Sequence, residues 1–323
     1  MKLEGCRIVV TGAAGMIGSN ILDQLIKENP KEIIAFDKDM SGFKENCSPD
    51  LDYSNVTPLE GDITRMDDVE KALKGADFVI HTAGVLTKET SKNLRVALDV
   101  NICGTYNLLE VSAAEGIKKF VYSSSMSVYG NPVGDLPMTE EHPFNTEAMY
   151  GSSKVAAELL LRVFRKSKGL DYVALRYTVV YGPRQVPSRV NIQFHMHECF
   201  DRIAHGLPPT LYGDGSQQYD YIYVGDVARA NVVALKRDVT GEAFNIGTGI
   251  TTSLRGVVEL IREVAGSDLE PKYSPLDERV GRKNVPVDVT KAQEMLGFKS
   301  KVSLQEGLTR LYEWRAEKAQ HGN

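Results

Sequence analysis

Short apolar runs alternate with longer stretches whose apolar residues recur at helical spacing. Arg7 to Thr11, Glu32 to Phe36, Val56 to Glu60, Phe78 to His81, Phe120 to Tyr122 and Tyr172 to Leu175 predict strands. Between them, Met16 to Glu28 carries Ile17, Ile21, Leu22, Leu25 and Ile26 on one helical face. Asp67–Leu73, Leu94–Ala114 and Met149–Lys168 predict further helices. Strands alternating with helices imply a parallel sheet built of βαβ units. Runs that are apolar throughout, such as Phe78-Val79-Ile80, fit strands covered on both faces. The predicted fold is therefore α/β: a doubly wound parallel sheet of Rossmann type, with a smaller C-terminal α/β lid.

Beyond Tyr181 the alternation loosens. Pro183, Pro187, Pro208 and Pro209 interrupt the chain, and Gly213-Asp214-Gly215 reads as a turn. Helices are expected at Asn191–His205, Val224–Leu235, Ser253–Val264, Val289–Leu296 and Leu304–Lys318. Ser253 is a natural N-cap and Gly266 a helix stop. The division expected is residues 1–180 for dinucleotide binding, with 224–247 returning to that unit, and 181–323 mainly for substrate.

Composition adds exclusions. The chain has 323 residues, 42% hydrophobic and 25% charged, which is a globular balance. A net charge of −5 argues against a nucleic-acid surface. The dense basic stretch Arg162–Lys168 falls at a predicted helix end, where cations complement the dipole. Cys6, Cys47, Cys103 and Cys199 are too scattered for a metal or redox motif and read as buried free thiols. Met1-Lys2 leads into a strand at once, and no stretch is apolar and long enough to span a bilayer. The expectation is a soluble, cytoplasmic protein with no membrane contact.

The chemistry gathers at two places. Gly12-x-x-Gly15-x-x-Gly18 joins a predicted strand to a predicted helix, the setting in which backbone N–H groups and helix dipole receive a pyrophosphate. Asp37 ends the second strand, 19 residues after Gly18. A carboxylate there holds a ribose 2′-hydroxyl and repels a 2′-phosphate, favouring NAD over NADP; Lys38 beside it reads as a surface lysine. Asp62 either reaches the adenine edge or caps the next helix. Ala83 and Gly84 keep the end of the fourth strand open. His81 reads as a packed or locally hydrogen-bonded histidine and not a catalyst, and Asn101 as an exposed residue or one stabilising a kink or backbone near the site.

The second place is Tyr150, four residues before Lys154 and so on the same helix face. A free phenol titrates at about 10. A nearby ammonium and an oxidised nicotinamide both favour its ionised form, which would make it a base for a sugar hydroxyl. Ser123-Ser124-Ser125 follows the fifth strand, facing the crevice where open α/β sheets bind ligands. The alternative there is a serine turn satisfying its own backbone.

These motifs, with Tyr122-Ser123-Ser124-Ser125-Met126-Ser127-Val128-Tyr129-Gly130, Leu175-Arg176-Tyr177, Tyr181-Gly182-Pro183-Arg184-Gln185, Asp220-Tyr221-Ile222-Tyr223-Val224 and Phe244-Asn245-Ile246-Gly247, make the chain resemble the extended short-chain dehydrogenase/reductases. The resemblance is to the NAD-dependent sugar epimerase/dehydratase group, typified by UDP-galactose 4-epimerase, and runs nearly end to end. It implies Ser125, Tyr150 and Lys154 as the catalytic set. It implies Gly12, Gly15, Met16, Ile17, Gly18, Asp37, Asp62, Ile63, Ala83, Gly84, Asn101, Ser123, Tyr150, Lys154 and Tyr177 around NAD. Ser125, Ser127, Arg184, Gln185, Tyr219 and Arg279 are implied near the sugar. It further implies a homodimer through the helices near Leu94–Ala114 and Met149–Lys168.

Departures from the group narrow the reaction. Its 4,6-dehydratases carry an Asp-Glu pair where this chain has Met126 and Ser127, and its UDP-glucuronate decarboxylases usually carry glutamate at Ser127, so an epimerase is favoured. Val179 and Tyr219 stand where nucleotide-sugar members carry asparagine and arginine, and the late arginine falls at Glu278, with Arg279 and Arg282 close by. The expectation is 4-epimerisation of a nucleotide sugar. The alternative is an NAD-dependent dehydrogenase of a non-nucleotide sugar, sugar acid or polyol. A non-catalytic NAD-binding protein is the third class, disfavoured because Tyr150 and Lys154 are both kept. His195 and His197, two apart, are assigned no catalytic role.

Overall fold

The computed structural model describes residues 1–134, 137–185, 192–275 and 286–321. Its principal elements in chain order are β1 (Arg7–Thr11), α1 (Met16–Ile26), β2 (Glu32–Asp37), β3 (Val56–Glu60), α2 (Met66–Leu73) and β4 (Phe78–His81). Then come α3 (Thr105–Ala114), β5 (Lys119–Ser125), α4 (Met149–Lys168), β6 (Tyr172–Tyr177) and α5 (Ile192–Ala204). The last are α6 (Val224–Lys236), β7 (Glu242–Ile246), α7 (Leu254–Val264) and α8 (Leu304–His321).

Among the described residues the sheet has seven strands in the order β7-β6-β5-β4-β1-β2-β3, every pair parallel. The chain starts at β1, builds outward to β3, then crosses back to β4. That reversal leaves a crevice beyond the carboxyl ends of β1 and β4, the place where such sheets hold ligands. Strand periodicity sorts the core into two layers. Ile8, Val10, Ile33, Ala35, Ile80 and Val121 pack toward α1 and α6. Val9, Ile34, Phe36, Val79, Phe120 and Tyr122 pack toward α2, α3 and α4. Each such buried aliphatic contributes about 1.5–3 kcal/mol, so both faces must be covered for the sheet to stand.

Three details differ from the sequence reading. The strand expected to end at Tyr122 continues through the serines, so Ser123 and Ser124 are strand residues and Ser125 its last. The helix expected to run unbroken over 94–114 is split: Ala97–Gly104 winds as a π-helix between Leu94–Val96 and α3. Of the four free cysteines only Cys199 is buried, and Cys103 is exposed. In the C-terminal part, short strands pair Val179–Tyr181 with Tyr221–Tyr223, Thr210–Tyr212 with Lys272–Ser274, and Gln218–Tyr219 with Thr252–Ser253. Ser253 caps α7 by accepting from Gly256 N at 3.1 Å.

Candidate active site

The glycine turn sits at the crevice, and its three glycines serve different ends. Gly12 has φ of +69°, and a Cβ on it would lie 2.7 Å from the Ala83 nitrogen. A Cβ on Gly18 would lie 2.1 Å from the Gly12 carbonyl oxygen. Both are demanded by the protein's own packing. Gly15 is different: a Cβ there meets only the Gly12 oxygen, at 3.3 Å. Gly15 thus leaves a cradle that the fold does not itself fill. It is also the N-cap of α1, which has no side-chain cap and no acidic residue in its first turn. The N–H groups of Met16, Ile17 and Gly18 have no intrahelical acceptor and, with the helix dipole behind them, are placed to receive an anion.

Asp37 reaches back over this turn. Its Oδ2 accepts from Ala14 N at 2.9 Å and its Oδ1 from Asp39 N at 3.2 Å. Lys38 is exposed and pairs with Asp62 at 3.2 Å. Burial pushes the Asp62 carboxyl up, but hydrogen bonds from Thr64 and Lys38 outweigh it and hold it low. Asp62 is thus an ionised acceptor beside the end of β3. Ile63 packs against Gly104, and its carbonyl accepts from Asn107 at 3.0 Å.

Tyr150 and Lys154 stand in the first turns of α4. Gly151 allows the approach: a Cβ there would lie 2.4 Å from the Ser127 carbonyl oxygen. The helix therefore sits against the Ser125–Ser127 turn. The Ser125 hydroxyl hydrogen-bonds the Tyr150 phenol, accepts from Ser127 N at 3.2 Å and lies 2.9 Å from Ser127 Oγ. Lys154 Nζ donates to the Ser123 carbonyl at 2.8 Å and lies 4.9 Å above the Tyr122 ring. It is 5.8 Å from the centre of the Tyr150 ring. A Cβ on Gly84 would press on Asn101 Oδ1, at 3.1 Å, and would touch Lys154 Nζ only at ordinary contact distance, 3.8 Å.

The electrostatics differ from the sequence expectation. Burial pushes the Tyr150 phenol up to about 12, against the Ser125 bond that favours ionisation. Burial also brings Lys154 down to about 8, with Glu158 opposing. Both shifts disfavour the charged forms, so the buried pair leaves the phenol protonated in the protein alone.

Further residues hold this set in place. Ser124 donates to Glu158 Oε1 at 2.6 Å, and Arg176 grips the same carboxylate with Nε at 3.0 Å and Nη2 at 2.7 Å. A buried, bidentate pair of this kind fixes orientation. Glu158 is legible only in retrospect, as the next residue of the 150, 154, 158 face. Tyr177 bonds Ser123 Oγ at 3.0 Å and the Asn231 amide of α6; no sequence signal marks Asn231. Asn101 is buried inside the π-helix, not exposed, and braces Val85.

The residues expected near the sugar fare variously. Arg184 donates to Asp23 of α1 at 2.7 Å, the ion-pair arrangement. Gln185 is buried and accepts from His197 Nε2 at 2.9 Å. Tyr219 is buried, its ring 5.9 Å from that of Tyr221. Arg279, with Glu278 and Arg282, lies outside the described residues. His195 faces the Thr210 carbonyl. A separate cavity of about 600 Å³, lined among others by Glu140, Arg162, Arg176, Glu242 and Lys291, lies on the flank of α4 and β6, away from the crevice. Its cations and carboxylates offset one another.

A switch-point crevice with a glycine turn at a helix N-terminus, a carboxylate at the end of β2 and a Ser–Tyr–Lys set defines a dinucleotide-dependent enzyme of the short-chain dehydrogenase/reductase type. The chain belongs to the NAD dependent epimerase/dehydratase family, whose model matches residues 8–247. Its cofactor is NAD, which the cradle at Gly15 and the Asp37 carboxylate fit. UDP-glucose 4-epimerase of Mycolicibacterium smegmatis is 33% identical over 324 residues, covering 97% of this chain and 100% of that protein. The crystal structure of UDP-glucose 4-epimerase with UDP-glucose from Thermotoga maritima matches with TM-score 0.87 and 35% identity, covering 97% and 99% of the two chains. That of the Thermus thermophilus UDP-glucose 4-epimerase complex with NAD matches with TM-score 0.83 and 32% identity, covering 96% and 99%.

Proposed function

We propose that this enzyme is a 4-epimerase of a nucleotide sugar, working through a transient keto sugar. The observation that carries it is the meeting of Ser125, Tyr150 and Lys154 at the NAD crevice, in a chain matched end to end by UDP-glucose 4-epimerases. Bound NAD supplies a two-electron acceptor and, when oxidised, a positive ring. Tyr150 takes the hydroxyl proton of the sugar carbon being oxidised and returns it when the carbon is reduced on its other face. Ser125 shares the hydrogen bond to that oxygen. Lys154 and Ser123 hold the ribose side. Water loss would need a carboxyl acid and base beside the sugar, and Met126 and Ser127 offer none.

We read 181–323, apart from 224–247, as the part that covers the sugar, and Gln185 and Tyr219 as sugar-side residues. The second reading, a dehydrogenase of a non-nucleotide sugar, draws on Val179 and Tyr219, both buried and neither able to donate a charged hydrogen bond to a diphosphate. We further infer a homodimer through α4 and the 94–114 helices, whose Leu94, Leu98, Tyr106, Leu159 and Val163 are exposed. Four free cysteines fit a reducing cytoplasm. No helix among the described residues is long and apolar enough to cross a membrane.

The test is conversion of UDP-galactose to UDP-glucose, followed together with the absorbance of reduced nicotinamide. Interconversion without net reduced cofactor is expected, and Tyr150→Phe should lower kcat by about 10²–10⁴. Accumulation of reduced cofactor with a free sugar, and no interconversion, would transfer the assignment to the second reading.

A further inference from the structure

We propose that His81 is a positioning residue, tying the cofactor turn to the backbone of Tyr150 through two runs of hydrogen bonds joined by the covalent frame of Asn101. The inference rests on Tyr150 being the base.

The chain is directional, because its end groups have no choice. Ser153 Oγ lies 2.7 Å from the Tyr150 carbonyl, which only accepts, so the hydroxyl donates there. It therefore accepts from Asn101 Nδ2 at 3.0 Å. That amide is fixed, because Asn101 Oδ1 accepts from Val85 N at 2.8 Å. Thr105 Oγ1 donates to the Asn101 carbonyl at 2.7 Å and so must accept from His81 Nε2, 3.0 Å away. The neutral imidazole carries its proton on Nε2, which leaves Nδ1 to accept from Thr11 Oγ1 at 2.7 Å. Thr11 in turn accepts from Ala83 N at 3.2 Å. Thr11 opens the glycine turn and Ala83 faces it.

Three observations set this apart from a core histidine that is merely satisfied. Both ring nitrogens are used, and their partners lead to the glycine turn on one side and the first turn of α4 on the other. The middle of the chain lies where Ala97–Gly104 departs from α-helix into π-helix, a form that gathers at functional sites. The ring is wedged between Phe120, 5.9 Å away, and Tyr122, 5.6 Å away, and Tyr122 is the ring beneath Lys154. Burial, with the charge of Lys154 behind it, brings the imidazole down to about 3 and keeps it neutral.

The experiment uses NAD-loaded enzyme with Thr105→Val, which cuts the chain, and Thr105→Ser, which keeps the hydroxyl. Their partners are His81→Phe, which keeps the ring and its burial, and the double variant His81→Phe/Thr105→Val. Two readouts are taken. One is kcat against KM. The other is the ionisation of Tyr150, followed as the ultraviolet difference between each protein and its Tyr150→Phe counterpart. Cutting the chain should lower kcat about tenfold with KM within about twofold, because a small misplacement of the base acts on the reacting geometry. The Tyr150 titration should move upward, Thr105→Ser should restore both readouts, and the double variant should lose no more than the worse single one. If Thr105→Val lowers the melting temperature while kcat and the Tyr150 titration stay at wild type, the chain is a structural tie and the proposal falls. A multiplicative loss in the double variant would also overturn it. Should His81→Phe not fold, the Thr105 pair decides alone. Should UDP-galactose prove not to be a substrate, the titration still decides, so the two readings fail separately.

Discussion

Gly15 and Gly18 look alike in the sequence and do unlike work. Gly18→Ala drives a methyl into the Gly12 carbonyl, 2.1 Å away, and should cost about 3 kcal/mol, read as a fall in melting temperature. Gly15→Ala asks only a few tenths of an ångström of the Gly12 carbonyl, 3.3 Å away. Its methyl occupies the cradle instead, so melting of the cofactor-free protein should hold while NAD content after purification falls. His81 carries a second expectation at this scale. Its folded pKa lies near 3, against an ordinary 6.5. Below pH 6.5 the unfolded chain therefore takes up a proton that the folded chain refuses, and stability falls as pH drops through that window. One such group contributes about 1.4 kcal/mol per pH unit. His197, brought down to about 4 chiefly by burial, acts in the same direction. Urea melts at pH 7, 6 and 5 should show a shallower decline for His81→Phe than for the wild type, but not a flat one. The glycine turn, Asp37 and the Tyr150–Lys154 pair were legible because local spacing encodes them. Glu158, Asn231 and the partners of His81 were not, because they meet only once the sheet is assembled.

Among the elements, the strands and most helices could be read from period alone. The run of serines hid the end of β5, since Ser is a turn former whose place in a buried strand depends on Glu158 and Tyr177 receiving it. The π-helix was hidden for another reason. Leu94, Leu98, Ala97 and Thr105 keep an ordinary helical rhythm, and the π-turn holds Asn101, whose side chain pairs with the Val85 backbone far from it in sequence. β7 is five residues long, with Glu242 and Asn245 interrupting Ala243, Phe244 and Ile246, too short and mixed a pattern for a strand until β6 is beside it. Lys119 shows how one element finishes another. Buried at the start of β5, its ammonium donates to the Arg237 carbonyl at 2.5 Å and lies 3.5 Å from that of Ala234, at the carboxyl end of α6. Lys119→Met keeps the volume and leaves those carbonyls without their cation. Its expected cost is about 1–2 kcal/mol of unfolding free energy in a denaturant titration.

For the whole molecule, the exposed apolar side chains are unevenly placed. Leu94, Leu98, Tyr106, Leu159 and Val163 lie on packed neighbours, α4 and the 94–114 helices, and their exposures reach 59% at Leu94 and 56% at Val163. Scattered apolar residues need no explanation, but a shared face of this kind calls for a cover. If that cover is a second copy, Leu159→Asp with Val163→Asp should halve the mass seen by sedimentation equilibrium while leaving the fold, measured by circular dichroism, in place. A wild type that sediments as a monomer would remove the homodimer from the assignment.

Asp23 joins three parts of the chain: α1 on which it sits, Tyr53 in the segment after β2, and Arg184 beyond the sixth strand. The same segment is stitched to the glycine turn, where Asn46 donates to the Ala14 carbonyl at 2.9 Å. A cofactor held under this knot would leave only when it opens, whereas turnover would not call for that opening. An enzyme that returns its electrons within every cycle has no use for a fast exit, so the two clocks can run apart. NAD then behaves over many cycles less as a co-substrate than as a part of the protein.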